Sequence, residues 1–280
     1  KKGAGLDPAE ADRIGFHAIG KIKSIKQKKS SKKKYQDIFS DWIVDMADKD
    51  KDLVAITPAM REGSGLVEFS KKFPDRYFDV AIAEQHSVTF GAGLAIAGKK
   101  PVVAIYSTFL QRAYDQLIHD VAVQNLNVTF ALDRAGLVGE DGPTHSGNYD
   151  IAYLRCIPNM TICTPADENE TRLMLTSAFN HHGPVSVRYP RGQGPNVKVD
   201  EKLETVDIGK ARLIAENNTK VILLNFGSLL HLAEKVSKNL KLTLIDMRFV
   251  KPLDKEILIK YLSNADLFIS LEDGSIMGGA

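Results

Sequence analysis

DVAIAEQHSVTFGAGLAIAGKKPVVAIYSTFLQRAYDQ, residues 79–116, is the stretch on which the fold turns. An apolar run ends on Glu84-Gln85-His86. A segment rich in Gly and Ala follows, and a second apolar run, Val102 to Tyr106, opens into Ser107-Thr108-Phe109-Leu110-Gln111-Arg112. Two strand-like runs, each ending in polar or aromatic residues with a tight helix between them, make a βαβ unit. In an open α/β sheet such strand ends are where ligands sit. Gly91, Ala92, Gly93, Ala95 and Ala97 suit a helix that packs closely on another backbone, between domains or between subunits.

The same alternation extends in both directions. Upstream, Tyr35 to Lys49 puts Ile38, Phe39, Trp42, Ile43 and Met46 on one helical face. Lys51 to Ala55 reads as a strand, Glu62-Gly63-Ser64-Gly65 as a small-residue loop, Leu66 to Lys72 as a short helix, and Tyr77 to Ile82 as a strand. Downstream come a predicted helix Leu110 to Gln124, a strand Val128 to Leu132 running into Asp133-Arg134-Ala135-Gly136, and a polar loop from Leu137 to Tyr149. A strand at Thr161 to Thr164, a helix to Asn180 opened by an Asp167/Glu170 capping pattern, and a strand at Val185 to Tyr189 complete the block. After a linker at Gly192 to Leu203 the alternation restarts, with strands at Val221, Leu242 and Leu267 and helices at Leu229 and Asp254. The expectation is an α/β protein: a doubly wound parallel-sheet domain, then a second, smaller α/β domain, divided near residue 200.

Among 280 residues, 44% are hydrophobic and 26% charged, enough apolar material for two cores and too much for a disordered chain. A net charge of +2 points to neither nucleic acid nor membrane. The eight lysines between Lys21 and Lys34 form a self-repelling, extended linker; a nucleic-acid arm would carry interleaved arginines or aromatics, and this one has none before Tyr35. No apolar stretch reaches membrane-spanning length, because Gly98-Lys99-Lys100 interrupts the best candidate. No signal-peptide core stands at the N-terminus, so a soluble, cytoplasmic protein is expected. Cys156 and Cys163 are expected as small buried side chains in a reducing compartment. Both ends look abrupt, which predicts a fragment.

Polar residues gather where strands end: Glu84, Tyr106 to Arg112, Arg134 to His145, and Arg191. Singly each has a plain reading, Glu84 as a helix-start carboxylate and the arginines as surface ion-pair partners. Together they predict a cleft, since parallel strands deliver their ends to one edge. No zinc spacing or P-loop is present. Arg134 and Arg191 with Tyr106 suit a phosphorylated or carboxylated small molecule. Glu84 beside Phe109 suits a neutral heteroaromatic ring, with whose nitrogen it can share a proton.

The runs ITPAMREGSG, FPDRYFDVAIAEQH, YSTFLQRAYDQL, DRAGLVGEDGPTH, YLRCIPNM, RYPRG and LIDMRFVKPLD resemble the 1-deoxy-D-xylulose-5-phosphate synthases, thiamine-diphosphate enzymes of the transketolase superfamily. That resemblance covers the chain apart from the lysine-rich linker. It implies a homodimer that joins pyruvate, with decarboxylation, to glyceraldehyde 3-phosphate. It implies residues 1–19 as the tail of a diphosphate-binding domain, 20–34 as a linker, 35–195 as the pyrimidine-binding domain and 201–280 as part of a C-terminal domain. The Gly-Asp-Gly…Asn motif that holds Mg²⁺ and diphosphate is absent, so the resemblance implies no metal ligands in this chain. It assigns the aminopyrimidine contact to Glu84, with Phe109 stacking and Arg112 nearby. It assigns the acceptor phosphate to Arg134, Arg191 and Tyr106, makes Asp141 and His145 the catalytic groups that hold the donor-derived intermediate or move protons, and makes His17 a catalytic histidine that faces the cofactor from the end of the first domain. Leu6 stands where the family often has an aromatic cofactor contact. Two other readings remain: a related thiamine enzyme, such as transketolase or a 2-oxoacid dehydrogenase β-chain, and a non-catalytic dimerisation module. A plastid-type organelle is the alternative location.

Overall fold

The computed structural model describes residues 3–12, 16 and 32–280. Residues 17–31, which hold His17 and most of the expected lysine-rich linker, lie outside the described residues. The chain divides into two units, Lys1–Ser31 and Lys32–Ala280. In the first, the short helix Asp7–Ala11 has Pro8 in its first turn, and Glu10 accepts a hydrogen bond from the Gly5 amide at 2.9 Å.

The second unit is built on a seven-stranded sheet and a four-stranded one. In chain order the strands are β1 (Leu53–Thr57), β2 (Tyr77–Asp79), β3 (Lys100–Tyr106), β4 (Thr129–Ala135), β5 (Thr161–Cys163), β6 (Val185–Pro190), β7 (Arg212–Ala215), β8 (Val221–Phe226), β9 (Thr243–Asp246), β10 (Phe249–Lys251) and β11 (Leu267–Glu272). The large sheet runs β10-β5-β6-β4-β3-β1-β2, parallel except for β10, and the small one runs β11-β8-β9-β7, parallel except for β7. From β1 the chain crosses to β2 on one side and later to β3 on the other, so a topological switch point lies between β1 and β3.

Layering follows from side-chain alternation. Val102 and Ala104 of β3 face a core shared with Phe39, Trp42 and Ile43 of the helix Tyr35–Lys49 and with Met174 and Leu175 of the helix Glu168–Asn180. Val103 and Ile105 face the opposite core, with Val88 and Ala92 of the helix Glu84–Ile96 and with Leu117 and Val121. Strands covered on both faces are apolar at every position, which is why Val102–Ile105 reads as an unbroken run. The expected face Ile38, Phe39, Trp42, Ile43 and Met46 is buried as a set. Asp167 caps the second helix by accepting from the Glu170 amide at 2.8 Å.

Several local expectations change. Leu110 to Gln124 is not one helix: Ala113 leaves helical geometry (φ −110°, ψ 23°), and Leu117–Ala122 is a wide π-helical turn. The break separates the short turn that carries Phe109 and Arg112 from the π-helical turn that buries Leu117 and Val121 in the core. Asp150–Arg155 is a helix that no strong period announced. β7 and β10 are short strands whose partners are distant in sequence. Cys163 is buried, but Cys156 is exposed, because it closes the helix Asp150–Arg155 with its Sγ 3.4 Å from the Tyr114 hydroxyl. Among the described residues no helix is long and apolar enough to cross a membrane.

A buried ionic cluster joins the two sheets. Glu170 accepts two hydrogen bonds from Arg248 at 2.8 Å, and Arg212 bridges Glu170 at 3.1 Å and Asp246 at 2.7 Å.

Trp42 is fully buried and donates its indole N–H to Thr176 Oγ1 at 3.1 Å. Trp42→Ala is expected to destabilise the protein by about 3–5 kcal/mol in denaturant titration, with Trp42→Phe costing less; equal small losses would mean the two helices do not depend on this contact.

Candidate active site

The C-terminal ends of β1, β2, β3, β4 and β6 lie along one edge of the large sheet, around the switch point. Beyond β2 the chain turns through Ala81, in the left-handed region at φ 56°, before the helix Glu84–Ile96 begins. The Asp79 carboxylate holds that turn by accepting from the Ala59 and Ala81 amides, each at 2.9 Å. Glu84 is therefore the first residue of the helix, only 4% exposed, where the helix dipole favours a carboxylate. Its Oε1 accepts from Arg112 Nη1 at 2.6 Å, although the Arg112 side chain is 56% exposed.

β3 ends in Tyr106, and the turn after it stacks Phe109 on the Tyr106 ring at 5.4 Å and 10°. Arg112 reaches back over Phe109, 5.4 Å from its centroid. His145 meets Phe109 and Tyr106 edge-on, at 5.4 and 6.5 Å. On the far side of Tyr106 the Arg134 guanidinium lies 4.1 Å above the ring centre. Arg134 follows a register shift in the β4–β6 pairing and has φ 57°, a kink that turns its side chain back across the sheet edge. Arg134 Nη1 donates to the Gly63 carbonyl at 2.9 Å and to Gln36 Oε1 at 3.4 Å, and it pairs with Asp133. Gly63 has to be glycine, since a Cβ there would overlap the Tyr106 hydroxyl.

Asp141 links the two arginines, 2.7 Å from Arg191 Nε and 3.7 Å from Arg134 Nε. It rides with His145 on a loop whose neck is pinched by two reciprocal backbone hydrogen bonds between Gly136 and Gly147, both 2.8 Å. Within the neck, His145 Nδ1 lies 3.0 Å from the Thr144 hydroxyl.

Eight of the ten expected residues thus form one connected set: Glu84, Arg112, Phe109, Tyr106, His145, Arg134, Asp141 and Arg191. Leu6 belongs to the N-terminal unit, 48% exposed at the start of its helix, and His17 lies outside the described residues. Sequence reading missed Gln36, Gly63 and Asp133, which hold Arg134. The only available signal was the place of Gly63 in the small-residue run EGSG and of Asp133 in DRAG; Gln36, in the first turn of the helix Tyr35–Lys49, carried none.

Burial sets the electrostatics. It pushes the Tyr106 hydroxyl up, with Arg134 opposing, so Tyr106 remains a protonated donor. It also raises the fully buried Asp133 carboxyl to about 6, again against Arg134. The arrangement offers a half-buried aromatic wall with a buried carboxylate on one side and two arginines on the other. Such a surface can hold a flat ring and an anion side by side.

The chain matches the family model "Transketolase, pyrimidine binding domain" over residues 31–196 and "Transketolase, C-terminal domain" over 209–280. It is 56% identical over 285 residues to 1-deoxy-D-xylulose-5-phosphate synthase of Hahella chejuensis (strain KCTC 2396), covering all of this chain and 44% of that protein. The synthase of Stutzerimonas stutzeri (strain A1501) is 58% identical over 284 residues, with 45% of its length covered. The chain therefore spans less than half the length of these curated relatives. Among solved structures, one described as "Split gene transketolase, inactive beta4 tetramer" aligns at TM-score 0.79 and 26% identity over 88% of this chain and 81% of that one. A mutant transketolase of Pichia stipitis in complex with fructose 6-phosphate shares the fold, at TM-score 0.73 and 18% identity over 89% and 40% of the two chains.

The Asp133 carboxyl, at about 6 in the folded chain, sits above its unfolded value of ~3.9, so its contribution to stability is complete below that value and is lost as pH rises through about 6. Asp133→Asn is expected to remove a decline on the order of 2–3 kcal/mol between pH ~4 and ~7, read by denaturant titrations at each pH. Parallel pH profiles for the two proteins would contradict this.

Proposed function

The chain belongs to the transketolase family, and from that premise we propose that it supplies the pyrimidine and acceptor sides of a 1-deoxy-D-xylulose-5-phosphate synthase site. The observation that carries the reading is the adjacency of the Glu84–Arg112–Phe109 group to the Arg134–Asp141–Arg191 group across one aromatic pair. The residues fit the pyrimidine half of thiamine diphosphate: a buried carboxylate, fixed through one oxygen, stands at the edge of an aromatic wall. They do not fit its Mg²⁺. Among the described residues no group of three or more His, Cys, Asp or Glu could hold a metal. In the family a Gly-Asp-Gly…Asn motif holds the metal and diphosphate, and that motif is absent from this sequence, so no residue named here is given either group.

When bound, thiamine diphosphate supplies the nucleophilic carbon that decarboxylates pyruvate and joins the remaining two carbons to glyceraldehyde 3-phosphate, giving 1-deoxy-D-xylulose 5-phosphate and carbon dioxide. Glu84 holds a proton shared with a ring nitrogen, and Arg112 keeps the carboxylate oriented towards that ring. Phe109 is the wall on which the ring rests. Arg134 and Arg191 receive the acceptor phosphate, a monoester dianion that guanidinium groups match, with the Tyr106 hydroxyl as a further donor. Asp141 and His145, carried on the pinched loop, orient the reacting oxygens and move protons between them.

By itself the chain is inactive, lacking the diphosphate half; the similarity to a split transketolase chain described as inactive supports this. A split transketolase subunit is the second reading, but identities of 56–58% to the synthases against 26% to that chain favour the first. The helix Glu84–Ile96 has Gly93 in open space and exposed Ile82 and Ile96 at its ends, which supports a second copy packing there as a homodimer. A phosphorylated acceptor, charged and unable to cross a bilayer unaided, supports the cytoplasm as the location.

The enzyme carrying this chain is expected to convert pyruvate and glyceraldehyde 3-phosphate to deoxyxylulose phosphate and carbon dioxide; activity only with ketose-phosphate donors would favour transketolase instead. Glu84→Ala is expected to slow exchange of the cofactor C2 proton by ~10²–10⁴, followed by NMR; an unchanged rate refutes its role. Arg191→Ala is expected to raise the acceptor KM about tenfold or more with the pyruvate KM unaffected, consistent with loss of one charge-assisted pair worth roughly 1.5–3 kcal/mol.

A further inference from the structure

The loop that carries Asp141 and His145 is held from outside the large sheet. Arg188, on β6 three residues before Arg191, is buried and donates from Nε to Asp150 at 2.9 Å and from Nη1 to Asp273 at 2.7 Å. Asp150 opens the helix that follows the loop, so it anchors the loop's second stem. Asp273 lies just beyond β11 of the small sheet. Its side chain also packs against Gly136, the first stem, so closely that a Cβ on Gly136 would overlap the carboxylate. Gly136 has φ 73°, a backbone conformation that also favours glycine there. The segment after Asp273 continues along the same element: Gly278 packs on Ala152, and the Gly279 carbonyl accepts from Arg155.

We propose that Asp273 is a positioning residue for the acceptor site, holding both stems of the 137–149 loop through Arg188 and Gly136 and so fixing where Asp141 meets Arg191. It touches neither substrate nor cofactor. The charge logic is specific. One fully buried guanidinium faces two carboxylates, and Asp150 alone neutralises it. Asp273 is therefore the partner free to serve as a tether, because its loss leaves Arg188 paired but frees the Gly136 stem. The small domain thereby gains a part in acceptor binding without supplying a ligand contact.

The inference rests on reading Arg134, Asp141 and Arg191 as the acceptor site, and its test separates the two. In the full enzyme without substrate, Asp273→Ala, which removes both the packing on Gly136 and the acceptor for Arg188, is expected to speed amide hydrogen exchange over residues 137–149 at least tenfold while leaving β3 unchanged. Unchanged exchange over the loop overturns the proposal whatever the substrates are. Faster exchange throughout, β3 included, overturns it too, since Asp273 would then govern folding and not loop position. In steady-state assays the same variant is expected to raise the acceptor KM at least fivefold and to keep the pyruvate KM within twofold. Loop exchange as expected with equal rises in both KM values would overturn the acceptor reading and leave the tether in place.

Discussion

Everything at the sheet edge depends on one cation held over one ring. The Arg134 guanidinium above Tyr106 is charged, largely buried and 4.1 Å from an aromatic face, a position that needs compensation of its charge. Its Nη1 converges on three acceptors, the Gly63 carbonyl after β1, Gln36 on the first helix of the large domain and the neighbouring Asp133, while its Nε lies 3.7 Å from Asp141. Gln36 in turn donates to the Glu62 carbonyl at 2.6 Å, which ties the small-residue loop to the same point. With Arg134 fixed, the Tyr106 ring is fixed, and Phe109 and His145 take their places against it. The site is thus a consequence of how one buried charge is compensated.

Most of the fold was legible because a parallel sheet covered on both faces writes itself as apolar runs separated by amphipathic helices. Val102–Tyr106 and Val185–Tyr189 could be read for that reason. What escaped was structure whose cause is distant. β10 is three residues containing a lysine, and it exists because β5 has a free edge. β7 is similar, pairing antiparallel with β9 through a register shift. The break at Ala113 escaped because the helical period continues through it.

For the site, strand-end chemistry located eight residues as a connected set, and spacing alone could not say how they connect. Glu84 finding Arg112, and Arg191 finding Asp141, are facts of three-dimensional approach. The supporting residues were harder still. Asp133 reads in sequence as an ordinary partner of its neighbour, and its elevated carboxyl follows from burial that no local pattern encodes. Gly136 and Gly147, eleven positions apart, show their purpose only when their amides and carbonyls meet.

The antiparallel strand β10 has a bearing on how this protein can be divided. Phe249–Lys251 follows the small sheet's β9 in sequence but closes the outer edge of the large sheet on β5. The chain passes from one sheet to the other and back before β11. A polypeptide cut at the connector near residue 200 would keep every residue of the candidate pocket and still present β5 as a naked edge, with its backbone donors and acceptors open to a neighbouring molecule. The two halves are separate in sequence and interlocked in space. Recombining the large domain with a foreign C-terminal domain would therefore need the grafted partner to bring its own edge strand, in register, or the hybrid would self-associate along that margin.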